Sequence, residues 1–330
     1  MEQNKEPHPN YISYPLQVEQ PNDEIDVKEL FLALWKGKWI MFVITLIFAI
    51  ASIAYSLTLP NIYRSDALLA PAKSSDGGGL SGMAGQLGGL AALAGVNVGG
   101  ADSSKTDLAV QVMKSRSFIE NFVNNHDLLV PLMAVDNWDL VSNNLIINED
   151  IYDQDADKWL RDPIGLRGAK PTNQEAYEVF KKDVFSVNQD KDSGLYTISV
   201  SHYSPYIARQ WVNWLIEDIN KVMRERTIAE TSKNLAYLNT QLQKTAVADM
   251  QSTFYKLIEE QTKSLMLAEV QEEFVFKVID PAVVPELKSG PQRALICILG
   301  TLVGVMFGVV LILGRFLINK ESAVEIKVYR

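Results

Sequence analysis

The sequence predicts an α+β membrane protein in which two transmembrane helices flank a domain of strands and a long antiparallel helical hairpin. Three observations predict this class. Two uncharged stretches, 39–59 and 294–314, are each about 21 residues long, the length that a helix needs to cross a bilayer core. Residues 206–280 contain neither glycine nor proline and place apolar residues at helical spacing. Apolar and polar residues alternate over 196–201, which is typical of a strand with one buried face.

The composition fits a folded domain held by a few spans, rather than a polytopic carrier or a disordered chain. Of the 330 residues, 47% are hydrophobic and 22% are charged. The formal net charge is -9 and no basic cluster occurs, which argues against nucleic acid as a partner. Cys297 is the single cysteine, so an intrachain disulfide is excluded, and the cysteine count does not decide the compartment.

The first 38 residues are predicted to be a cytoplasmic tail that ends in an amphipathic helix. Residues 1–24 are polar, contain four prolines and have little periodicity, as in a disordered tail. In the stretch 23–38, Asp26 supplies a helix cap and Glu29 follows three residues later. This helix lies on the membrane surface or forms the first turns of the span that follows.

Residues 39–59 are predicted to be the first transmembrane helix. A cleavable signal peptide is the competing interpretation, but the run is longer than a signal's apolar region and lacks an A-x-A exit. Trp35, Trp39 and Tyr63 stand at its ends, where aromatic rings settle at the lipid interface. Lys and Arg are modestly more frequent on the terminal sides of the two spans than on the sides that face the central domain. This bias places both termini in the cytoplasm and residues 60–293 outside it.

Residues 294–314 are predicted to be the second transmembrane helix, followed by a short cytoplasmic tail, 315–330. A buried soluble helix is the alternative, but such a helix rarely lacks charge for so long. Gly300, Gly304 and Gly308 recur every fourth residue on one face, where small residues allow another helix to approach closely. The approach to this span is extended, because it contains three spaced prolines: Pro281, Pro285 and Pro291.

The domain between the spans begins with a strand, 62–70, followed by a glycine-rich tract, 77–100. That tract is a flexible loop, or a weak helix that orders only against a partner surface. A capped helix is expected from Ser104 to about Asn125, and the region 136–170 shows no strong period. The buried face of that helix is predicted to hold Leu108, Val112, Ile119 and Phe122.

Further along, Thr172 and Glu175 indicate a capping box and a helix to about Lys182. The segments 184–189 and 195–202 follow it as a predicted β-hairpin.

The helical hairpin is predicted between Pro205, which suits the first turn of a helix, and a final strand at 274–279. One helix over 205–271 would be about 100 Å long, too far for the remaining chain to return unsupported to the second span. The chain therefore turns back near 244–249. The leucines expected to pack between copies of the hairpin are Leu235, Leu238 and Leu242.

No catalytic, cofactor-binding or metal-binding residue is predicted. The three histidines, His8, His126 and His202, are too scattered to form a metal site. A GxGxxG match in the glycine-rich tract lacks a strand–turn–helix context and is treated as accidental. Five aromatic residues form either a sugar-stacking surface or ordinary core, with core favoured: Tyr196, Tyr203, Tyr206, Trp211 and Trp214.

Four sequence stretches carry a family resemblance. They are IDVKELFLALWKGKWI before the first span, HYSPYIARQWVNWL at the start of the long helix, PAVVPELKSGPQRALI, and the glycine-spaced second span. From Ile25 to Phe316 the chain resembles the Wzz-type chain-length determinants, the polysaccharide co-polymerases. Its glycine-rich tract is longer and more apolar than expected of enterobacterial members.

The resemblance implies a protein of the bacterial inner membrane with a small α/β base next to the membrane and long helices in the periplasm. It also implies homo-oligomeric rings that set the length of lipid-linked glycans, O-antigen or related, made by a Wzy-type polymerase. We expect a non-catalytic scaffold in which the glycines seat the second span against the first or against the polymerase.

Two rival functions remain. A sensor would need a cytoplasmic output module, and about 15 residues after Gly314 are too few to fold one. An adaptor that activates a separate tyrosine kinase or an export machine is the second alternative. An enzyme has the least support.

Overall fold

The computed structural model describes residues 32, 34–72, 101–245 and 247–328. Predictions made for the tail 1–24, for most of the amphipathic helix 23–38 and for the glycine-rich tract 77–100 lie outside these residues. The chain divides into two compact units, one containing the two long apolar helices and the other formed by Thr58–Gln292.

Within the described residues the helices are α1 (Lys38–Thr58), α2 (Ala101–Met113), α3 (Arg116–Asn125), α4 (Leu129–Met133), α5 (Asn173–Val179), α6 (Pro205–Lys244), α7 (Ala248–Val270) and α8 (Arg293–Val328). The strands are β1 (Tyr63–Pro71), β2 (Val135–Trp138), β3 (Leu145–Ile147), β4 (Tyr152–Asp153), β5 (Lys158–Trp159), β6 (Phe185–Gln189), β7 (Tyr196–His202) and β8 (Phe276–Asp280).

Helices α1 and α8 are both long and apolar enough to cross a membrane, as predicted. The apolar part of α8 runs from Arg293 to Ile318, and the helix continues to Val328. Most of the residues predicted to form the tail 315–330 are therefore helical.

The main sheet has four antiparallel strands in the order β6-β7-β1-β8. Strand β1 lies between β7 and β8, so the first strand of the domain pairs with the last one. The predicted hairpin β6–β7 and the predicted strand near 274–279 are confirmed. Tyr196, Ile198 and Val200 of β7 are buried, as the alternation predicted.

The core lies where α6 packs against β1 and β7. Ser204 caps α6 and Pro205 occupies its first turn, as expected. The apolar stripe of α6 is buried at Trp211, Leu215 and Ile219.

The prediction of one continuous helix from Ser104 to Asn125 is wrong. The segment is divided into α2 and α3, because Ser115 has an extended backbone and its hydroxyl accepts a hydrogen bond from Phe118 N, which starts a new helix. The interruption changes the phase of the apolar face. Leu108, predicted to be buried, is 44% exposed, while Ala109 and Met113 of α2 are buried.

The region 136–170, for which no period could be found, contains two short hairpins, β2–β3 and β4–β5. Their strands are two to four residues long. An alternation of apolar and polar residues cannot be recognised over so few positions.

The predicted capping box at the start of α5 is confirmed. Thr172 Oγ1 accepts from Glu175 N, and the Glu175 carboxylate accepts from Thr172 N. The helix ends at Val179 and is followed by a π-helical turn, Phe180–Val184.

The helical hairpin is confirmed, and its turn lies where the chain-length argument placed it. Helix α6 ends at Lys244 and α7 begins at Ala248. With 40 residues, α6 is about 60 Å long.

Candidate functional site

The glycine-spaced face of α8 lies against α1. A methyl group at Gly304 would lie 2.7 Å from Phe48 Cβ and 3.3 Å from Thr45 Cα, and one at Gly308 would lie 3.2 Å from Met41 Cγ. At Gly300 the side chain of Ser52 fills the equivalent space. At Gly300 and Gly304 a side chain larger than hydrogen does not fit unless α1 moves, and at Gly308 a methyl group requires Met41 to shift by a few tenths of an ångström. This is the packing expected of small residues in lipid.

A further glycine of this helix pair, Gly37, was not predicted from the sequence. A methyl group at Gly37 would lie 2.8 Å from Ile312 Cδ1, and Ile312 is buried. A single glycine before the first span gives no periodic signal, so only the partner helix reveals its role. The contacts run from Gly37 beside Ile312 to Ser52 beside Gly300, as in an antiparallel helix pair.

The proline-containing segment after β8 is non-helical and is hydrogen-bonded to the start of β1. Ser65 Oγ donates to Val283 O at 2.7 Å, and Ile62 N donates to Gly290 O at 2.9 Å. Pro281 and Pro285 lie in its irregular part, and Pro291 follows Gly290, just before α8. The two ends of the domain are thus joined beside Ile62.

Leu235, Leu238 and Leu242 are half-buried on α6, which packs along α7. Their neighbour Tyr237 is 63% exposed, as is Tyr255 of α7 at 62%. These aromatic side chains are accessible to another molecule. The role of the three leucines in contacts between subunits stays a prediction.

Asn220 is a buried polar side chain that no sequence pattern singled out. Its Oδ1 accepts from Val275 N at 2.8 Å and from Phe276 N at 3.0 Å, while its Nδ2 donates to Phe276 O at 3.0 Å. One side chain of α6 therefore satisfies three backbone groups at the start of β8. This contact attaches the returning chain to the long helix.

His202 is buried at the end of β7 and next to the start of α6. Its Nδ1 accepts from Ser204 N at 3.0 Å, so Nε2 carries the proton and donates to Pro131 O at 3.1 Å. Burial lowers the pKa of His202 to about 4, although the hydrogen bond to Pro131 O opposes that shift. The imidazole is therefore neutral at pH 7.

This burial predicts acid sensitivity. An exposed histidine in the unfolded chain protonates near pH 6.5, whereas folded His202 does so only near pH 4. The unfolded state binds more protons in that interval, so the free energy of unfolding falls as the pH is lowered, by roughly 3 kcal/mol from His202 alone. Thermal unfolding of the full chain in detergent, followed by circular dichroism between pH 7 and pH 4, measures this.

The control for that experiment is His202→Asn, whose side-chain oxygen retains an acceptor for Ser204 N. Its stability should be lower at pH 7 but should fall less steeply toward pH 4. Equal slopes for the two proteins would show that His202 does not titrate as proposed.

A second polar cluster surrounds Glu175. Burial by itself raises the pKa of this carboxyl, but hydrogen bonds from Arg161 and Thr172 N and the charges of Arg161 and Arg167 hold the pKa below its usual range. Arg161 also donates to Ala169 O and Gly168 O. The cluster fixes the loop before α5 and is a structural ion-pair network.

The predicted aromatic group is divided between core and surface. Tyr196 and Trp211 are buried, Tyr203 and Trp214 are half-buried, and Tyr206 is half-exposed. Tyr196 Oη donates to Asp107 Oδ1 at 3.0 Å, and burial together with this bond raises the pKa of Tyr196 to about 12. These rings do not share one exposed face, so core packing accounts for most of them.

Among the described residues, no group of three or more His, Cys, Asp or Glu side chains could hold a metal ion. His126 lies 3.0 Å from Asp218 Oδ2 and stacks on Trp214, with 4.3 Å between ring centroids. One carboxylate and one aromatic ring beside His126 do not make a set of metal ligands. The candidate functional features are the surfaces described above.

Two family models match this chain. The model of the chain length determinant protein, Wzz, matches residues 23–126, and the model of a G-rich domain on putative tyrosine kinase, GNVR, matches residues 239–317. The first match includes α1 and β1, and the second includes α7, β8, the proline-containing segment and most of α8. Residues 23–126 carry the chain length determinant domain of Wzz-type proteins.

Two solved structures match this chain at low identity. A full-length bacterial polysaccharide co-polymerase is 12% identical, with a TM-score of 0.38, over 89% of this chain and 99% of the other. A fragment of WzzB, a polysaccharide co-polymerase from Salmonella Typhimurium, is 9% identical, with a TM-score of 0.27, over 70% of this chain and all of the fragment. No curated protein sequence matches. The assignment rests on the two family models.

The match to the Wzz model agrees with the architecture. The two candidate spans and the unit between them fit a membrane protein with a periplasmic domain. The fold is that of an α+β membrane protein with a helical hairpin.

Proposed function

We propose that this Wzz-type chain is an inner-membrane polysaccharide co-polymerase that regulates the chain length of a lipid-linked surface polysaccharide, O-antigen or a related glycan. The polymer would be made by a Wzy-type polymerase, and the protein would act as an oligomeric, non-catalytic scaffold. The observation that carries this proposal is the match of the chain length determinant model to residues 23–126. The long hairpin between two candidate spans supports it.

A scaffold of this kind needs copies that pack side by side. We propose that hairpins of neighbouring subunits form a ring, with Leu235, Leu238 and Leu242 shaping the contact and Tyr237 and Tyr255 reaching the neighbour. Exposed aromatic side chains such as these are enriched at protein interfaces. The size of the ring would then determine how long the growing glycan stays engaged with the polymerase.

The spans would fix each subunit in the membrane. Gly300, Gly304 and Gly308 allow α8 to approach α1 closely, and we propose that this pairing sets the angle at which the subunit joins the ring.

Deleting the gene and comparing surface polysaccharide ladders on a gel tests the function. We expect the preferred band lengths to disappear, while short and irregular chains are still made because the polymerase remains. Restoring the gene should restore the preferred lengths. An unchanged ladder after deletion would exclude length control.

The membrane arrangement is also a proposal: cytoplasmic 1–38, spans at 39–59 and 294–314, a periplasmic region at 60–293 and a cytoplasmic tail at 315–330. An alkaline phosphatase reporter fused near Asn188 should be active, and one fused to the C-terminus should be inactive. The reverse result would overturn this orientation.

An adaptor for a separate tyrosine kinase is the second candidate, favoured by the match of residues 239–317 to a domain described on putative tyrosine kinases. Co-purification of a kinase with the tagged chain, or phosphorylation of its tails, would distinguish this function. Length control without either result favours the scaffold.

A further inference from the structure

The turn between β2 and β3, residues 139–144, is held in one conformation by its own hydrogen bonds. The Asp139 carboxylate accepts from Val141 N at 3.2 Å, from Ser142 N at 3.0 Å and from Ser142 Oγ at 2.6 Å. Trp138 Nε1 donates to Asn143 Oδ1 at 3.0 Å. The turn is therefore preorganised.

Two adjacent apolar side chains stand at the tip of this ordered turn. Leu140 is 74% exposed and Val141 is 95% exposed. Their exposure to water is unfavourable in proportion to the apolar area left uncovered. Because the backbone of the turn is fixed, neither side chain turns inward to reach the core.

The turn packs, through Trp138, against residues of the domain that are close in sequence to both spans. The Trp138 ring packs on Tyr63, with 5.7 Å between centroids, and on Tyr206, with 6.1 Å. Tyr63 is five residues beyond Thr58, where α1 ends. Its neighbour Ile62 donates its N–H to Gly290 O.

The short segment between Gly290 and α8 limits how far Gly290 and Ile62 can lie from the bilayer. Gly290 is three residues before Arg293, where α8 begins, and an extended chain covers at most about 3.6 Å per residue. Gly290, hydrogen-bonded to Ile62, thus lies within about 11 Å of the first residue of α8. The headgroup layer on each side of the hydrocarbon core is itself roughly 5–7 Å thick.

The surroundings of the turn have the composition of a membrane interface. Tyr206 is 50% exposed, Ile62 is exposed and Tyr63 is half-buried, while Trp138 is buried and supports the two tyrosine rings. Tyrosine and tryptophan rings prefer the headgroup level, where one edge is apolar and the other is wet.

We propose that the β2–β3 turn inserts Leu140 and Val141 into the lipid interface of the membrane that holds the spans. The molecule that covers these two side chains is lipid, because Trp138 and Tyr63 connect the turn to the residues that lead directly into both spans. The contact adds a third point of attachment, independent of α1 and α8, which restrains the tilt of the domain. This inference does not depend on the proposed function.

The test uses the full chain in liposomes. Cys297, the single cysteine, is replaced by alanine, and Val141→Cys is labelled with an environment-sensitive nitrobenzoxadiazole dye. Lipids with a spin label near the headgroup should quench this dye at least twofold. If Val141→Cys does not accumulate, Leu140→Cys takes its place.

The matched control is Val247→Cys at the turn between α6 and α7. Val247 is also exposed, at 56%, and it lies about 60 Å along α6 from Tyr206. Its dye should be quenched by iodide in the buffer but not by the labelled lipids. Equal lipid quenching at the two positions would overturn the proposal. So would cross-linking of Val141→Cys between subunits without lipid quenching, because the turn would then face a second copy of the chain.

Discussion

Replacing Gly304 with leucine should shift the length distribution of the surface glycan and abolish the preferred band lengths. A Cβ atom at this position would lie 2.7 Å from Phe48 Cβ and 3.3 Å from the backbone of α1 at Thr45, so the two helices must separate. Overpacking of this kind costs about 1–3 kcal/mol, enough to change the geometry of a helix pair. The measurement is the polysaccharide ladder of cells carrying the variant, with the protein level checked by immunoblot.

The same helix offers a matched control. Gly314→Leu introduces the same side chain, but no atom lies within 4 Å of the added Cβ, so the ladder should stay unchanged. Adding Phe48→Gly to Gly304→Leu removes the Cβ atom that would lie 2.7 Å from the added one, and should partly restore the preferred lengths. A normal ladder for Gly304→Leu at normal protein level would show that the α1–α8 contact has no part in length control.

Replacing Asn220 with leucine should destabilise the domain by roughly 3–5 kcal/mol, because two backbone N–H groups and one carbonyl lose their buried partner. Leucine has nearly the same shape as asparagine. The decrease in the free energy of unfolding therefore comes from the lost hydrogen bonds and not from a cavity. Thermal or denaturant unfolding of the purified full chain in detergent, followed by tryptophan fluorescence, measures it.

Asn239→Leu is the control for that experiment, since it makes the same change at an exposed position of the same helix. Its effect should stay within about 0.5 kcal/mol. If Asn220→Leu were as stable as Asn239→Leu, Asn220 would not be the attachment point of β8.

Much of the architecture was predictable because its signals are local. The spans were visible as uncharged runs of sufficient length, and the capping box at Thr172 and Glu175 needs only four residues. The turn of the helical hairpin near 244–249 followed from a length argument: one continuous helix would end too far from the second span.

The candidate functional features were predictable only in part. Gly300, Gly304 and Gly308 stood out because they repeat, but Gly37 has no such pattern and became evident only beside Ile312. Asn220 and His202 are single polar residues whose hydrogen-bond partners, Phe276 and Pro131, are distant in sequence. Leu108 was placed on the wrong face because the break at Ser115 changed the helical phase.

The sequence alone determined the two spans, the long helical hairpin, the β6–β7 hairpin and the strands β1 and β8, since chain length, charge and periodicity are properties of neighbouring residues. The tertiary structure alone decided that β1 lies between β7 and β8, that α8 faces α1 through its glycines, and that Asn220 joins α6 to β8. These contacts depend on which surfaces meet after the chain has folded. A residue's neighbours along the chain do not specify its neighbours in space.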